Sequence, residues 1–142
     1  MKALSVRAPW WWYILHGGKV IENRGLQSSA VAQRVTGLVA VHASKWWRPA
    51  EVQEAACEAE EMQRRAAGDF PLLPDWKALE RFGGCLVGTV LVTGYVRQHA
   101  SPWFVGDVGI VLANPVALAA PVPCVGRLGF FEVPRSLLGD AA

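Results

Sequence analysis

The second half of the chain most constrains the fold. After Gly83-Gly84 the sequence becomes a series of β-branched and apolar runs, "CLVGTVLVTGYV", "DVGIVLA" and "RLGFFEV", separated by turn residues. Such runs need a sheet. "KALSV" (Lys2–Val6) and "GLVAVHA" (Gly37–Ala43, opened by a glycine) add two more strands from the first half. The intervening stretch "VGIVLANPVALAAPVPCVG" is apolar enough to suggest a membrane span. Asn114, Pro115, Pro121 and Pro123 break it into short strands and turns instead.

Helices are fewer. Pro49 opens the clearest one, in which Val52, Ala55, Ala56, Ala59 and Met62 recur at helical spacing. Glu51 and Glu54 lead and Arg64 and Arg65 close it, in the sense the helix dipole favours, with an end near Gly68. "PWWWYILHG" forms about two turns from Pro9 to the Gly17-Gly18 pair. "PDWKALERFGG" permits a second short helix, and Gly25–Thr36 reads as a loop. The pattern predicts one α+β domain over residues 1–142: a small, mostly antiparallel β-barrel or curved sheet with flanking α-helices.

Charge and cysteine content narrow the function classes. A formal net charge of +2 is too small for coating long nucleic-acid duplexes, so any nucleic-acid contact is local. The three cysteines, Cys57, Cys85 and Cys124, are odd in number and widely spaced, which argues against a disulfide framework or a zinc site. Arg7 and Pro9 interrupt the apolar run a secretory signal would need, so the expected location is cytoplasmic, without a membrane partner. "GGK" lacks the glycine frame and following Ser or Thr of a phosphate loop, and no cofactor or metal motif is found.

The chemistry-bearing stretch is "RAPWWWYILHGGKVIENRG". Successive helical positions differ by about 100°, so Trp10, Trp11 and Trp12 must point in different directions. Two are expected in the core, and the third is either a surface aromatic or a pocket wall offering a flat face to a base or a peptide. Alternation places Glu22 and Arg24 on one strand face, while the turn after the glycine pair sets the direction of Lys19 and lets it lean over the same cavity as Glu22. A Glu beside two cations stays ionised, and the cations can hold an anion. The alternative is a surface ion pair of little energetic value. His42 ends its strand on the face of Leu38 and Ala40, as a structural histidine would, and Ser44 and Lys45 follow it. Trp46-Trp47-Arg48 forms a second aromatic–basic cluster, suited to stacking with a cation or to packing.

These residues resemble the ASCH domain family of the PUA-like superfamily. The resemblance covers nearly the whole chain. It is carried by G-x-K-x-x-E-x-R (Gly17, Lys19, Glu22, Arg24), by the strand ending in His-Ala-Ser-Lys, and by the C-terminal strand pair. It implies a helix-ringed β-barrel whose cleft lies where the first helix and signature strand meet the barrel, with RNA, a nucleotide or a modified nucleoside as partner. Some relatives are hydrolases. In a branch that deacetylates acetylated cytidine, a Thr three residues after the signature Lys is the nucleophile. Here that position is Glu22, which disfavours the activity. Another branch resembles a metal-independent ribonuclease using Tyr, Lys and Ser. Tyr13 and Lys19 match the first two in order and spacing, and Ser101 is the candidate third, with Glu22 or Tyr13 handling protons and Lys19 with Arg24 holding charge. The resemblance therefore implies an RNA hydrolase of ribonuclease type, with a non-catalytic reader of RNA or modified bases as the alternative. Trp10, Trp12, Arg24, His42, Ser44 and Lys45 are the ligand-binding candidates.

Overall fold

The computed structural model describes residues 1–141. Six strands form one curled sheet in the order β2-β5-β4-β3-β1-β6. They are β1 (Lys2–Val6), β2 (Ile21–Arg24), β3 (Gly37–Ala43), β4 (Cys85–Val96), β5 (Val108–Pro123) and β6 (Phe130–Glu132). Among the described residues only the β1–β3 pair is parallel; the other neighbours run antiparallel. The chain is thus α+β with a mostly antiparallel half-barrel. The half-barrel is open between its two outer strands, β2 and β6.

Three α-helices flank the sheet: α1 (Trp10–His16), α2 (Ser29–Gln33) and α3 (Pro49–Arg65). Two 3-10 segments, Trp76–Phe82 and Arg135–Ala141, complete the list among the described residues. Pro49 occupies the first turn of α3, where its missing N–H costs no hydrogen bond. The face of α3 expected to be apolar is the one that packs: Val52 and Ala59 are buried, and Ala55, Ala56 and Met62 are half-buried.

Two expectations need correction. Gly25–Thr36 is not wholly a loop, because α2 lies within it. At five residues α2 is too short to show a period. Its hold comes from Gln33, whose amide donates to the Phe130 carbonyl and accepts from the Phe130 N–H, each at 2.8 Å. The second correction concerns β5, one 16-residue strand that passes through Asn114, Pro115 and Pro121. β2 pairs only with Val108–Val111, so beyond that point β5 carries β4 on one side alone. Proline on an unpaired edge forfeits no ladder bond. The bend is taken up by Asn114, at φ 51°, and by three register shifts against β4.

Alternation divides the core between the two faces of the sheet. Leu4, Val6, Val39, Val41, Val90 and Val92 join Trp11 and Ile14 in the main cluster beneath α1. Ala3, Ala40, Leu86 and Phe131 form a smaller cluster on the opposite face, closed by Val133 and Leu138. A third cluster gathers Tyr13, Ile21, Ala59 and Trp103. Among the described residues no helix is long and apolar enough to cross a membrane.

Candidate binding cleft at the open seam

Gly17, Lys19, Glu22 and Arg24 stand at the seam of the half-barrel. Helix α1 ends at Gly17, whose N–H donates to the Tyr13 carbonyl, and that carbonyl also accepts from the Lys19 N–H at 3.0 Å. Gly18 takes φ +77°, and a Cβ there would lie 2.4 Å from the Phe70 ring. The glycine pair thus lets the chain double back under Tyr13, and it carries Lys19 inward instead of out to solvent.

Lys19 is 3% exposed and Glu22 7%, so neither makes a surface ion pair. Lys19 Nζ donates to Glu22 Oε1 at 2.9 Å and also to the Ile21 carbonyl. The Arg24 guanidinium donates to the other carboxylate oxygen, Oε2, at 2.9 Å. Its NH2 group also donates to the Ser5 carbonyl of β1 at 2.9 Å. That contact spans the gap the backbone leaves open: a side chain on β2 ties it to β1 where no ladder exists. Burial alone would raise the Glu22 pKa, but Lys19 and Arg24 outweigh it and hold the carboxyl below its ordinary value. Burial draws the Lys19 ammonium below its usual range, against the pull of Glu22.

Above this network lies a cleft of about 410 Å³ whose lining includes Ser5, Arg7, Trp10, Glu22, Asn23 and Arg24, together with Ser44 and Leu128. Lys19 Nζ sits 5.5 Å from the centre of the Trp10 ring, so the buried cation supports the ring that faces the cleft. Asn23 donates to the Trp103 carbonyl at 2.8 Å and accepts from the Val105 N–H at 3.0 Å, which pins the 97–107 loop against β2. Arg7 is exposed, with its guanidinium carbon 4.2 Å from the centre of the Trp46 ring. The cleft therefore combines an aromatic wall, two guanidinium groups and a fixed carboxylate. A larger cavity of about 720 Å³ adjoins it and shares Ser5, Ser44 and Leu128. The charged network opens into the smaller cleft, which makes it the candidate site.

No protein-family model and no curated protein sequence matches the chain. The site is therefore read from its own geometry.

Trp10, Glu22, Arg24 and Ser44 come together on one cleft, with Lys19 directly beneath. His42 and Lys45 line the adjoining cavity, again with Ser44. Trp12 lies elsewhere, beside His16 at 5.3 Å and over a separate cavity with Phe82 and Pro121. Tyr13 is 1% exposed and reaches a different cavity, of about 300 Å³, between α3 and Leu72–Trp76. Burial, together with Glu60 and Cys57, pushes its phenol up to about 12, so it stays protonated at neutral pH. Ser101 belongs to the 97–107 loop, where its hydroxyl accepts from the Trp103 N–H at 3.2 Å. The structure thus does not bring Tyr13 and Ser101 to the cleft that holds Glu22 and Arg24.

Ser5, Arg7 and Asn23 line the cleft, and the sequence does not mark them as candidates. Nothing in "KALSVR" sets Ser5 apart from an ordinary strand residue. Its role depends on β1 and β2 flanking the same seam, which is a tertiary fact. Among the described residues no group of three or more His, Cys, Asp or Glu side chains is placed to hold a metal ion.

Proposed function

We propose that the seam cleft binds a nucleotide or modified nucleoside, as a reader of the ASCH and PUA-like kind. The observation that carries this reading is the placement of Trp10, Arg7, Arg24 and the fixed Glu22 carboxylate around one cavity. Trp10 offers a stacking face for a base. Arg7 and the free donors of Arg24 meet a phosphate, since a guanidinium has five N–H groups and Arg24 uses only some of them. Glu22 accepts from an amino group on a base edge. Its two cationic partners keep it ionised and fixed in direction.

Binding suits this geometry better than ribonuclease chemistry does. Cleavage without metal needs a base, a proton donor and a cation around one phosphate. Tyr13 and Ser101 lie outside the cleft, and Lys19 is committed to Glu22 and to a carbonyl.

Titration with nucleoside monophosphates should quench tryptophan emission, with weaker binding as salt rises. Arg7→Ala should weaken affinity about 10- to 150-fold, in line with one charge-assisted contact of about 1.5–3 kcal/mol. Arg7 is exposed, so the fold should be untouched. Quenching that is insensitive to both salt and Arg7→Ala would sink the phosphate assignment. Shortening of RNA oligomers by purified protein would favour the hydrolase over the reader.

A further inference from the structure

The adjoining cavity holds a pair that the binding reading leaves unused. Ser5 and His42 face each other directly in the parallel register of β1 and β3, on the side of the sheet away from the main core. The Ser5 hydroxyl lies 3.3 Å from His42 Nδ1. His42 Nε2 lies 2.9 Å from the Cys124 carbonyl oxygen. A carbonyl only accepts, so Nε2 carries the ring proton. In the neutral ring Nδ1 is then the bare nitrogen, and the Ser5 hydroxyl donates to it.

The ring is held from other sides as well. The Phe131 ring meets it edge-on with centres 5.4 Å apart. A Cβ on Gly126 would fall 2.2 Å from His42 Cε1, so the Cys124–Gly126 backbone closes over the imidazole. His42 is 1% exposed, and burial lowers its pKa, which keeps the ring neutral at neutral pH. Ser5 is only half-buried, and it lines both cavities. A hydroxyl open to a cavity, a bare nitrogen within reach of it, and a third group fixing the tautomer are the three parts of an activated nucleophile.

We propose that Ser5 and His42 form a nucleophile–base pair that cleaves carboxylic esters at the junction of the two cavities. Ser5 Oγ attacks the ester carbonyl carbon. Its proton passes to His42 Nδ1 and then to the departing alcohol oxygen as the C–O bond breaks. Water attacks the acyl-Ser5 next, giving its proton to Nδ1. The carboxylic acid leaves as that proton returns to Ser5 Oγ. The Cys124 carbonyl stabilises the transient imidazolium by holding its Nε2–H. Ser44 and Lys45, on the same cavity wall, meet the carbonyl oxygen as it gains charge.

The surroundings set the substrate class. Trp46, Pro123, Val125 and Leu128 give the larger cavity an apolar lining for one half of the ester. The other half points toward Arg7 and Arg24 and is anionic; this part alone rests on the reading of the seam cleft as a nucleotide site.

The test uses p-nitrophenyl acetate, which needs no anionic half, on the full chain. The expected result is a burst of nitrophenolate and one acetyl group per chain, mapped to Ser5 by peptide mass. Ser5→Ala should abolish the burst and lower turnover at least about 100-fold, and His42→Gln should lower it by about 10²–10⁴. The wild-type rate should rise with pH as the imidazole loses its proton and then level off. No burst, acetyl on Lys45, Cys85 or Cys124 instead, or an unchanged rate in Ser5→Ala overturns the proposal. Mapping on wild type decides the matter even where a variant misfolds. Nucleotide quenching is measured separately. A chain acetylated at Ser5 without quenching keeps the pair and loses the nucleotide reading, and the converse holds equally.

Discussion

Glu22→Ala is expected to destabilise the fold by about 3–5 kcal/mol, the cost of stranding a buried charge. That is a large part of the roughly 5–15 kcal/mol by which domains are stable. Glu22 is the shared partner of the network: each carboxylate oxygen takes one cation at 2.9 Å. Removing it leaves Lys19 buried against the Ile21 carbonyl and the Trp10 face without its carboxylate. Lys19→Met should cost less, because Glu22 keeps Arg24 and one buried charge disappears with its desolvation penalty. Arg24→Ala should also cost less, because Lys19 and Glu22 stay paired and Arg24 is partly exposed. Urea denaturation of the three variants gives the order. A Glu22→Ala cost no larger than that of Lys19→Met would mean the network is not organised around the carboxylate.

The same network predicts the pH response. A carboxyl whose folded pKa is depressed contributes stability above its unfolded value, near 4.5 for Glu22, and loses it as pH falls through the folded value. Wild type should therefore lose stability below about pH 4.5, and Glu22→Gln should show a shallower slope there. Lys19 acts at the other end. Its folded pKa lies below the ordinary 10.5, so the unfolded chain holds the proton longer and stability rises with pH in the window below that value. Lys19→Met should flatten this alkaline rise. An unchanged acid limb in Glu22→Gln would show that other carboxylates carry it.

What the sequence made legible follows the range of the forces involved. β1, β3 and β4 keep the bounds of the runs "KALSV", "GLVAVHA" and "CLVGTVLVTGYV", because short alternating or β-branched apolar runs declare a strand locally, for β3 and β4 with a glycine at or just before the start. β5 was misread at its prolines, because whether a missing N–H matters depends on which edge is paired. α2 was invisible, because its hold is Gln33 reaching a strand that lies 97 residues away in sequence. The convergence of Glu22 and Arg24 was readable from strand alternation. The glycine pair also hinted that Lys19 turns toward them, but not that it is fully buried, since that depends on Gly18 at positive φ and on Phe70 covering the turn. Tyr13 shows the opposite failure. Its spacing from Lys19 fits a signature, yet helix rotation turns the ring toward α3 and Trp103, 5.7 Å away.

The tryptophan run should separate stability from binding when its members are replaced one at a time. Trp11 is 3% exposed, packs in the main core and meets Phe82 with ring centres 5.2 Å apart. Trp11→Ala should cost about 3–5 kcal/mol of stability, as large aromatic truncations in cores do, because the cavity left under α1 cannot collapse fully. Its effect on nucleotide affinity should be small wherever the protein remains folded, since the ring lines neither the cleft nor the adjoining cavity. Trp10 is half-buried on the cleft wall and should show the reverse. Trp10→Ala removes the stacking face, worth about 1–3 kcal/mol per base, so affinity should fall about 5- to 150-fold. Its stability cost should be smaller than that of Trp11, because less of the ring is buried and the lost contact with Lys19 is a single cation–π pair. Trp12→Ala should leave affinity unchanged, since its ring edges the separate cavity beside His16. Fluorescence titration and urea denaturation on the three variants give both axes. Equal affinity losses for Trp10→Ala and Trp12→Ala would move the ligand out of the seam, because those rings stand on different cavities and one bound base cannot stack on both.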